Sequence, residues 1–229
     1  MRPTALLLAL AGVAAVSPQA AAAQARVAVD WSKRVAATPQ GGFLMGNPAA
    51  KVKLVEYGSL TCGHCAAFNS AAKTALTAKV RTGKVSFEYR SHVLNGVDIA
   101  ATLIARCGGA PRFFPLADKF FASQKDWFGK VTGMPEAQKE QLKALPEGQM
   151  LVRMAEIGGL IQIGAAGGVP AARAKACLAD PAALDRLGKA NEAANALGVT
   201  GTPTFLLNGN NVGTQTWASL EPLIRQAGG

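Results

Sequence analysis

The sequence is short of histidine and of acidic residues, and both shortages narrow the functions it could serve. It contains two His residues, and 14 Asp and Glu against 24 Lys and Arg leave a formal net charge of +10. The densest basic groups, Lys51/Lys53 and Lys79/Arg81/Lys84, are short and have no aromatic residues between them. This pattern argues against nucleic-acid binding. The 49% hydrophobic and 17% charged residues indicate a globular protein and exclude a disordered one.

Long apolar segments are missing beyond the first few residues. A short apolar stretch at residues 4–16 follows Arg2 and leads into small residues at 21–25, which satisfy the small-x-small rule for signal-peptide cleavage. Because that stretch is too short to span a bilayer, we interpret residues 1–23 as a cleaved signal peptide. The sequence therefore predicts an exported, periplasmic protein.

Cysteine is scarce as well, but two of the four cysteines form a Cys-x-x-Cys pair at Cys62 and Cys65. No second Cys-x-x-Cys and no His pair is present in the sequence to complete a zinc site around it. Exported proteins meet an oxidising compartment, in which disulfides persist. We therefore expect redox chemistry at Cys62 and Cys65, no metal ion and no cofactor, and a structural disulfide between Cys107 and Cys177.

Hydrophobic periodicity predicts an α/β fold with a helical insertion. Strands at 52–57 and 85–90, joined by a helix at 62–80, form a βαβ unit, which is normally parallel. A short hairpin precedes this unit, only helices follow it to about residue 180, and a helix, a second hairpin and a last helix end the chain. The other predicted ranges are 34–37 and 43–45 for the first hairpin, 99–106, 111–123, 135–145 and 148–163 for the inserted helices, and 181–197, 204–211 and 216–226 for the final elements.

Without the insertion, this is the element order of a thioredoxin fold. Cys62 falls where a central strand meets its helix, and the N-terminus of a helix stabilises a thiolate. We therefore expect Cys62 to attack and Cys65, one turn further on, to resolve the mixed disulfide. The expected organisation is a signal peptide at 1–23, an N-terminal thioredoxin part at 24–95, an all-α insertion at 96–180 and a C-terminal thioredoxin part at 181–229.

Two segments resemble the signatures of the DsbA family of exported thiol–disulfide oxidoreductases. The letters LVEY at 54–57 and TCGHCAAF at 61–68 are similar to that family's active-site segment, and GTPTFLLNG at 201–209 is similar to its second signature. The resemblance covers the chain from about Phe43 onward. It implies a thioredoxin fold in which a cis proline, here Pro203, faces the cysteine pair.

The resemblance also implies roles for individual residues. His64 would help to hold Cys62 as a thiolate. Glu56 would be a buried carboxylate that handles protons for Cys65, with Arg90 on the next strand as a candidate partner. Alternation along the strand directs Glu56 to the apolar face.

The resemblance also implies a role for the loop at 201–203. Thr202, before Pro203, would pair with the backbone of a substrate chain held at Cys62, which is a mode that ignores most side chains. Gly63 and Thr202 are departures from many DsbA proteins and recur in isomerase-type relatives. They leave the direction of the reaction open.

We expect a monomeric dithiol oxidase that passes its disulfide to unfolded or partly folded exported proteins with free cysteines. A membrane redox partner would reoxidise it, and no nucleic acid is expected as a partner. The first alternative is an isomerase or reductase with the same site, although residues 24–50 look too short for the oligomerisation segment that such isomerases use. The second is a soft-metal module built on the same two cysteines, for which no further ligands lie nearby in sequence.

Overall fold

The computed structural model describes residues 29–229, so the predicted signal peptide lies outside the described residues. These residues contain six strands: Val35–Ala37 (β1), Phe43–Gly46 (β2), Val52–Gly58 (β3), Val85–Ser91 (β4), Thr204–Leu207 (β5) and Asn210–Gly213 (β6). The strands form one mixed sheet in the order β1-β2-β4-β3-β5-β6. The central strands β3 and β4 are parallel, and β5 runs antiparallel to β3 on its other side.

The helices flank this sheet on both faces. Three of them belong to the thioredoxin part: α1 (Gly63–Arg81), α9 (Pro181–Ala196) and α10 (Trp217–Gln226). Seven more lie between β4 and α9: α2 (Gly96–Cys107), α3 (Ala110–Ala122), α4 (Gln124–Thr132), α5 (Glu136–Lys143), α6 (Glu147–Gly158), α7 (Leu160–Ala166) and α8 (Ala171–Leu178). None of the helices within residues 29–229 combines the length and apolarity needed to cross a bilayer.

The alternation of β3 separates two packed layers. Val52 and Leu54 belong to the main core with α1, whereas Tyr57 packs with Ala194 of α9 in a small second cluster. Odd and even positions therefore face opposite helices, as successive side chains of a strand do. This parity decides which side chains of β4 can meet those of β3.

The inserted helices differ in number from the prediction. The predicted helix at 148–163 is two helices, α6 and α7, because Gly159 between them has a φ of 75°, a conformation that favours glycine. The helices α4 and α8 were not predicted. Large side chains from several of these helices are fully buried, among them Trp127, Phe113, Phe120, Leu116, Leu151 and Leu160.

One disulfide ties the first inserted helix to the last. Cys107, the final residue of α2, is bonded to Cys177 of α8, with an S–S distance of 2.01 Å and a Cα–Cα distance of 6.1 Å. The bridge closes a loop of 70 residues. It thus links the two ends of the helical insertion.

Candidate active site

The cysteine pair lies at the start of α1. Cys62 is the N-cap residue of this helix, and its sulfur accepts a hydrogen bond from the backbone N–H of Cys65 at 3.4 Å. Both cysteines are free thiols. The Cys62 side chain is nearly buried, at 9% exposure, and Cys65 is completely buried. Only Cys62 therefore retains some contact with the surface.

The two thiols have opposite acidities. Hydrogen bonding with the Cys65 thiol lowers the pKa of Cys62 to about 5, against the effect of burial, with further contributions from Thr202 and from the backbone N–H groups of Cys65 and His64. Burial raises the pKa of Cys65 far above that of a free thiol, and Cys62 and Glu56 add to this increase. At neutral pH the pair therefore consists of a Cys62 thiolate and a Cys65 thiol.

The loop before β5 lies against Cys62, although it is distant in sequence. The Thr202–Pro203 peptide bond is cis. The Cys62 sulfur lies 3.2 Å from the backbone carbonyl oxygen of Thr202, to which it donates only while it is protonated. Because β5 runs antiparallel to β3, the start of β5 lies at the edge of the sheet where β3 ends. The structure thus brings together the two segments in which the sequence analysis placed the site.

Glu56 lies on β3 with an exposure of 3%, and its Oε1 atom has no hydrogen-bond partner among residues 29–229. Burial, and then the charge of Cys62, raise the pKa of this carboxyl to about 8. Glu56 is therefore protonated at neutral pH. A neutral buried carboxyl of this kind can give or take a proton close to the cysteine pair.

The predicted pairing of Glu56 with Arg90 is wrong. The β3–β4 register sets Glu56 beside Tyr89, and it sets Arg90 beside Tyr57, on the opposite face of the sheet. The Arg90 guanidinium instead binds both carboxylate oxygens of Glu88, each at 2.9 Å, and the Tyr57 hydroxyl at 2.9 Å. The prediction placed Arg90 on the correct neighbouring strand, but it did not consider that successive side chains of a strand point to opposite faces of the sheet.

The two residues between the cysteines make few contacts. The side chain of His64 is exposed, and its backbone N–H is the group that contributes to the low pKa of Cys62. Gly63 has no atom within 4 Å of where a Cβ would lie. Packing therefore does not demand glycine at position 63. Within residues 29–229, no three His, Cys, Asp or Glu side chains converge in a way that could hold a metal ion.

Asp98 was not predicted, yet it holds the turn that leads into the cysteine pair. Its carboxylate, fully buried in the first turn of α2, accepts from the Ser59 hydroxyl at 2.5 Å and from the Leu60 and Leu94 backbone N–H groups at 3.0 Å. Burial raises the pKa of Asp98 to about 6, although these hydrogen bonds lower it. From the sequence alone, an acidic residue at a helix start indicates only a favourable interaction with the helix dipole. The contact of Asp98 with the active-site turn could therefore not be predicted.

Gln124 is the second residue that sequence reasoning missed. It is the first residue of α4 and is 7% exposed, and its side-chain amide donates to the carbonyl oxygens of Leu60 at 2.8 Å and Cys62 at 2.9 Å. Two inserted helices thus bind the active-site turn. No periodicity or local motif marks such a contact, because its partners are more than 60 residues apart.

Known proteins resemble the chain over most of its length. The family model described as Thioredoxin matches residues 38–226. The crystal structure of a protein-disulfide isomerase from Novosphingobium aromaticivorans is 34% identical and covers 82% of this chain and 98% of its own, with a TM-score of 0.76. The alpha-DsbA1 protein of Wolbachia pipientis, 23% identical, covers 80% of this chain and 89% of its own with a TM-score of 0.59, and is a likeness of fold.

Two curated relatives from Rickettsia are named as protein-disulfide oxidoreductases. The Rickettsia felis protein is 28% identical over 81% of this chain and 59% of its own length. The Rickettsia bellii protein is 27% identical over 82% of this chain and 65% of its own length. The chain therefore spans about six tenths of the length of these relatives.

Proposed function

The chain belongs to the thioredoxin family, and from that premise we propose that it is a DsbA-like thiol–disulfide oxidoreductase whose redox pair is Cys62 and Cys65. The observation that carries the proposal is the opposite acidity of the two thiols, one with a pKa of about 5 and the other held protonated. A thiolate of low pKa is a good leaving group, and a buried second thiol can close the disulfide.

In the oxidising direction, the Cys62–Cys65 disulfide is the starting form. A client thiolate attacks the Cys62 sulfur, the S–S bond breaks, and Cys65 leaves and takes up a proton. A second client thiolate then attacks the client sulfur of the mixed disulfide and releases Cys62 as a thiolate. The client loses two electrons and gains a disulfide, and the cysteine pair becomes a dithiol.

Glu56 is proposed as the proton carrier for Cys65. With a pKa of about 8 it is protonated at neutral pH, so it has a proton to give when the Cys65 thiolate is released. In the reverse step the Glu56 carboxylate would take the proton back. The electrostatic coupling between these two groups supports this role.

The loop at Thr202 is proposed as the docking site for the client backbone. The Thr202 carbonyl oxygen lies 3.2 Å from the Cys62 sulfur, so a chain joined to Cys62 would run beside this peptide unit. Pairing through backbone atoms would accept clients of many sequences. We propose unfolded or partly folded exported proteins with free cysteines as those clients.

The oxidase direction is supported by the hydrogen bonds that stabilise the Cys62 thiolate. The hydrogen bonds that lower its pKa act on the thiolate, which exists only in the reduced form, so they favour reduction of the pair and oxidation of the client. We propose further that the protein is a periplasmic monomer, delivered by the signal peptide at 1–23 and reoxidised by a membrane redox partner.

An isomerase or reductase is the second candidate, and a specific observation favours it. The solved protein that is 34% identical to this chain carries the name of a protein-disulfide isomerase. An isomerase needs the same nucleophilic Cys62 but starts from the dithiol form. The residues of the two functions are the same, and only the redox potential separates them.

Two assays test the proposal. The oxidised protein, as the only oxidant, is mixed with a reduced unfolded protein, and the reduced protein is mixed with a scrambled one. We expect fast disulfide formation in the first assay and slow rearrangement in the second. Cys62→Ser should abolish both activities, while the double variant Cys107→Ala/Cys177→Ala should keep them. Rearrangement faster than oxidation would favour the isomerase, and no activity in either assay would overturn the proposal.

A further inference from the structure

The turn at 59–61 acts on both cysteines of the redox pair through the backbone of Ser59. The Ser59 carbonyl oxygen accepts the backbone N–H of Cys62 at 3.2 Å. Burial raises the pKa of Cys65, and a hydrogen bond from the Ser59 backbone acts against this rise. Ser59 is 1% exposed. A shift of this one residue would therefore change the surroundings of both sulfurs.

The carboxylate of Asp98, in the first turn of α2, holds this turn in place. It is completely buried, and it accepts from the Ser59 hydroxyl at 2.5 Å and from the Leu60 N–H at 3.0 Å. It also accepts from the Leu94 N–H at 3.0 Å and, across a longer 3.4 Å, from the Thr102 hydroxyl. All four groups approach as donors. They match an ionised carboxylate, which can only accept.

The start of α2 provides a further hydrogen bond to the same turn. The side-chain amide of Asn95 donates to the Thr61 hydroxyl at 3.1 Å, and that hydroxyl lies 3.0 Å from the hydroxyl of Ser59. Each residue of the turn at 59–61 is thus hydrogen-bonded to the first residues of the insertion, and all three are buried. The insertion therefore fixes the turn residue by residue.

We infer that Asp98 is a positioning residue of the redox site, which holds Ser59 so that Cys62 stays where its thiolate is stabilised. The Cys62 sulfur accepts the Cys65 N–H at 3.4 Å, and a hydrogen bond weakens steeply when its geometry is lost. Because the thiolate exists only in the reduced form, its stabilisation adds to the oxidising strength of the pair. This effect on oxidising strength rests on the proposed function.

The two ways in which Asp98 could act on Cys62 have opposite signs. As a bare charge, the carboxylate would repel the thiolate, so its removal would lower the pKa of Cys62. As a positioning group, it stabilises the thiolate, so its removal would raise that pKa. Hydrogen bonding with Cys65, ahead of burial and Thr202, governs the pKa of Cys62. Since hydrogen bonds depend on geometry, we expect the positioning effect to prevail.

Two variants break the contact from its two sides. Asp98→Asn keeps the shape of the side chain but replaces one acceptor oxygen by an NH2 group, which would face donors. Ser59→Ala removes the hydroxyl and keeps the buried charge. Thiolate absorbance measures the pKa of Cys62, and equilibration with glutathione measures the oxidising strength. Both variants should raise this pKa and shift the equilibrium about threefold to tenfold toward the disulfide form.

A double variant and a control separate positioning from stability. Asp98→Asn/Ser59→Ala should shift the equilibrium no further than the stronger single variant, because both changes break the same contact. Thr102→Val removes a donor from the same carboxylate but lies on α2 and not on the turn. It should lower stability and leave both readouts unchanged. Should Asp98→Asn fail to fold, Ser59→Ala decides alone.

Two results would overturn the positioning role. A lowered pKa of Cys62 in Asp98→Asn would show that the carboxylate acts as a charge. An unchanged pKa and an unchanged glutathione equilibrium in both single variants would show a contribution to stability alone. A wild type that does not exchange with glutathione would contradict the proposed function instead. The pKa measurement needs no exchange, so it would still decide whether Asp98 positions Cys62.

Discussion

The side-chain amide of Gln124 donates to the carbonyl oxygen of Cys62 across 2.9 Å. The same carbonyl accepts the N–H of Ala66 at 3.1 Å, in the first turn of α1. A helix of the insertion therefore supplies a second donor to the residue that carries the reactive sulfur. The insertion and the redox helix share one hydrogen-bonded turn.

Replacing Gln124 tests this shared turn. Gln124→Met keeps most of the side-chain volume but removes the amide donor from the carbonyl of Leu60 and one of the two donors from the carbonyl of Cys62, which should cost about 1–3 kcal/mol of unfolding free energy. The pKa of Cys62 should rise if the turn shifts, because the hydrogen bond from the Cys65 N–H to the Cys62 sulfur depends on the geometry of that turn. Chemical denaturation measures the first effect and thiolate absorbance the second.

The matched control is Gln141→Met, since Gln141 is exposed on α5. It should change neither quantity. Equal behaviour of the two variants would show that Gln124 does not position the turn.

Titration of Cys62 should show a midpoint near pH 5. The variant Cys65→Ser leaves one active-site thiol and keeps a hydroxyl donor, and its thiolate absorbance isolates this transition. Because the pKa is lowered on folding, Cys62 adds stability that is complete above the pKa of the unfolded thiol, about 8.5, and is lost as the pH falls through 5. Reduced wild type should therefore lose its advantage over Cys62→Ser across this range. A midpoint above pH 8 would contradict the assignment.

Glu56 should have the opposite pH dependence. Its pKa is raised on folding, so its contribution to stability is complete below the pKa of an unfolded Glu, about 4.3, and is lost as the pH rises through 8. Near pH 4, Glu56→Gln and wild type should be about equally stable, and at pH 9 the variant should be the more stable. Denaturation curves across this range measure the difference.

The same variant should slow the step that involves Cys65. We expect resolution of a mixed disulfide at Cys62 to become about a hundredfold slower or more in Glu56→Gln, because a positioned proton carrier is lost. Glu192→Gln, an exposed carboxyl on α9, is the control and should not change the rate. Unchanged stopped-flow rates in Glu56→Gln would remove the proton role.

The reduced protein should unfold at higher denaturant concentration than the oxidised protein. Stabilisation of the Cys62 thiolate acts only in the reduced form, and each 30 mV of oxidising potential corresponds to about 1.4 kcal/mol. The comparison is made with the Cys107–Cys177 bridge intact, as checked by peptide mapping. A clearly more stable oxidised form would favour a reductase.

The bridge between Cys107 and Cys177 should contribute to stability without contributing to the chemistry. A loop of 70 residues corresponds to roughly 4 kcal/mol in the chain-entropy model. The double variant Cys107→Ala/Cys177→Ala should lose up to this amount in denaturation, while disulfide exchange well below its melting temperature should persist. Loss of exchange in a folded variant would mean that the bridge supports the site directly.

The two central strands could be predicted from the sequence to within one residue, whereas β6 ends two residues beyond the predicted hairpin at 204–211. Residues 52–57 and 85–90 alternate and are bounded by turn residues, and the structure extends each strand by one position. The thioredoxin fold that followed is confirmed by the family match. The helical insertion was harder, because helices buried on several sides lose a clear period, and Gly159 divides one apolar run into two helices.

The residues of the site also fall into those that could be predicted from the sequence and those that could not. The cysteine pair and the Thr202–Pro203 loop lie in recognisable segments, so sequence analysis reached them. Asp98 and Gln124 each bind the active-site turn through two hydrogen bonds, across 38 or more residues of sequence, and such contacts leave no local pattern. Arg90 was misassigned because only the register tells which face of the sheet a side chain occupies.

The contacts of Asp98 and Gln124 also mean that the active-site turn can be completed only late in synthesis of the chain. Chains are made and begin to fold from the N-terminus, so Leu60 is synthesised 38 residues before Asp98, and Cys62 is synthesised 62 residues before Gln124. An unfinished chain therefore already carries both thiols but not the residues that hold the turn in front of them. A chain that ends before Asp98 would carry the cysteine motif without either of the side chains that hold the turn in front of it.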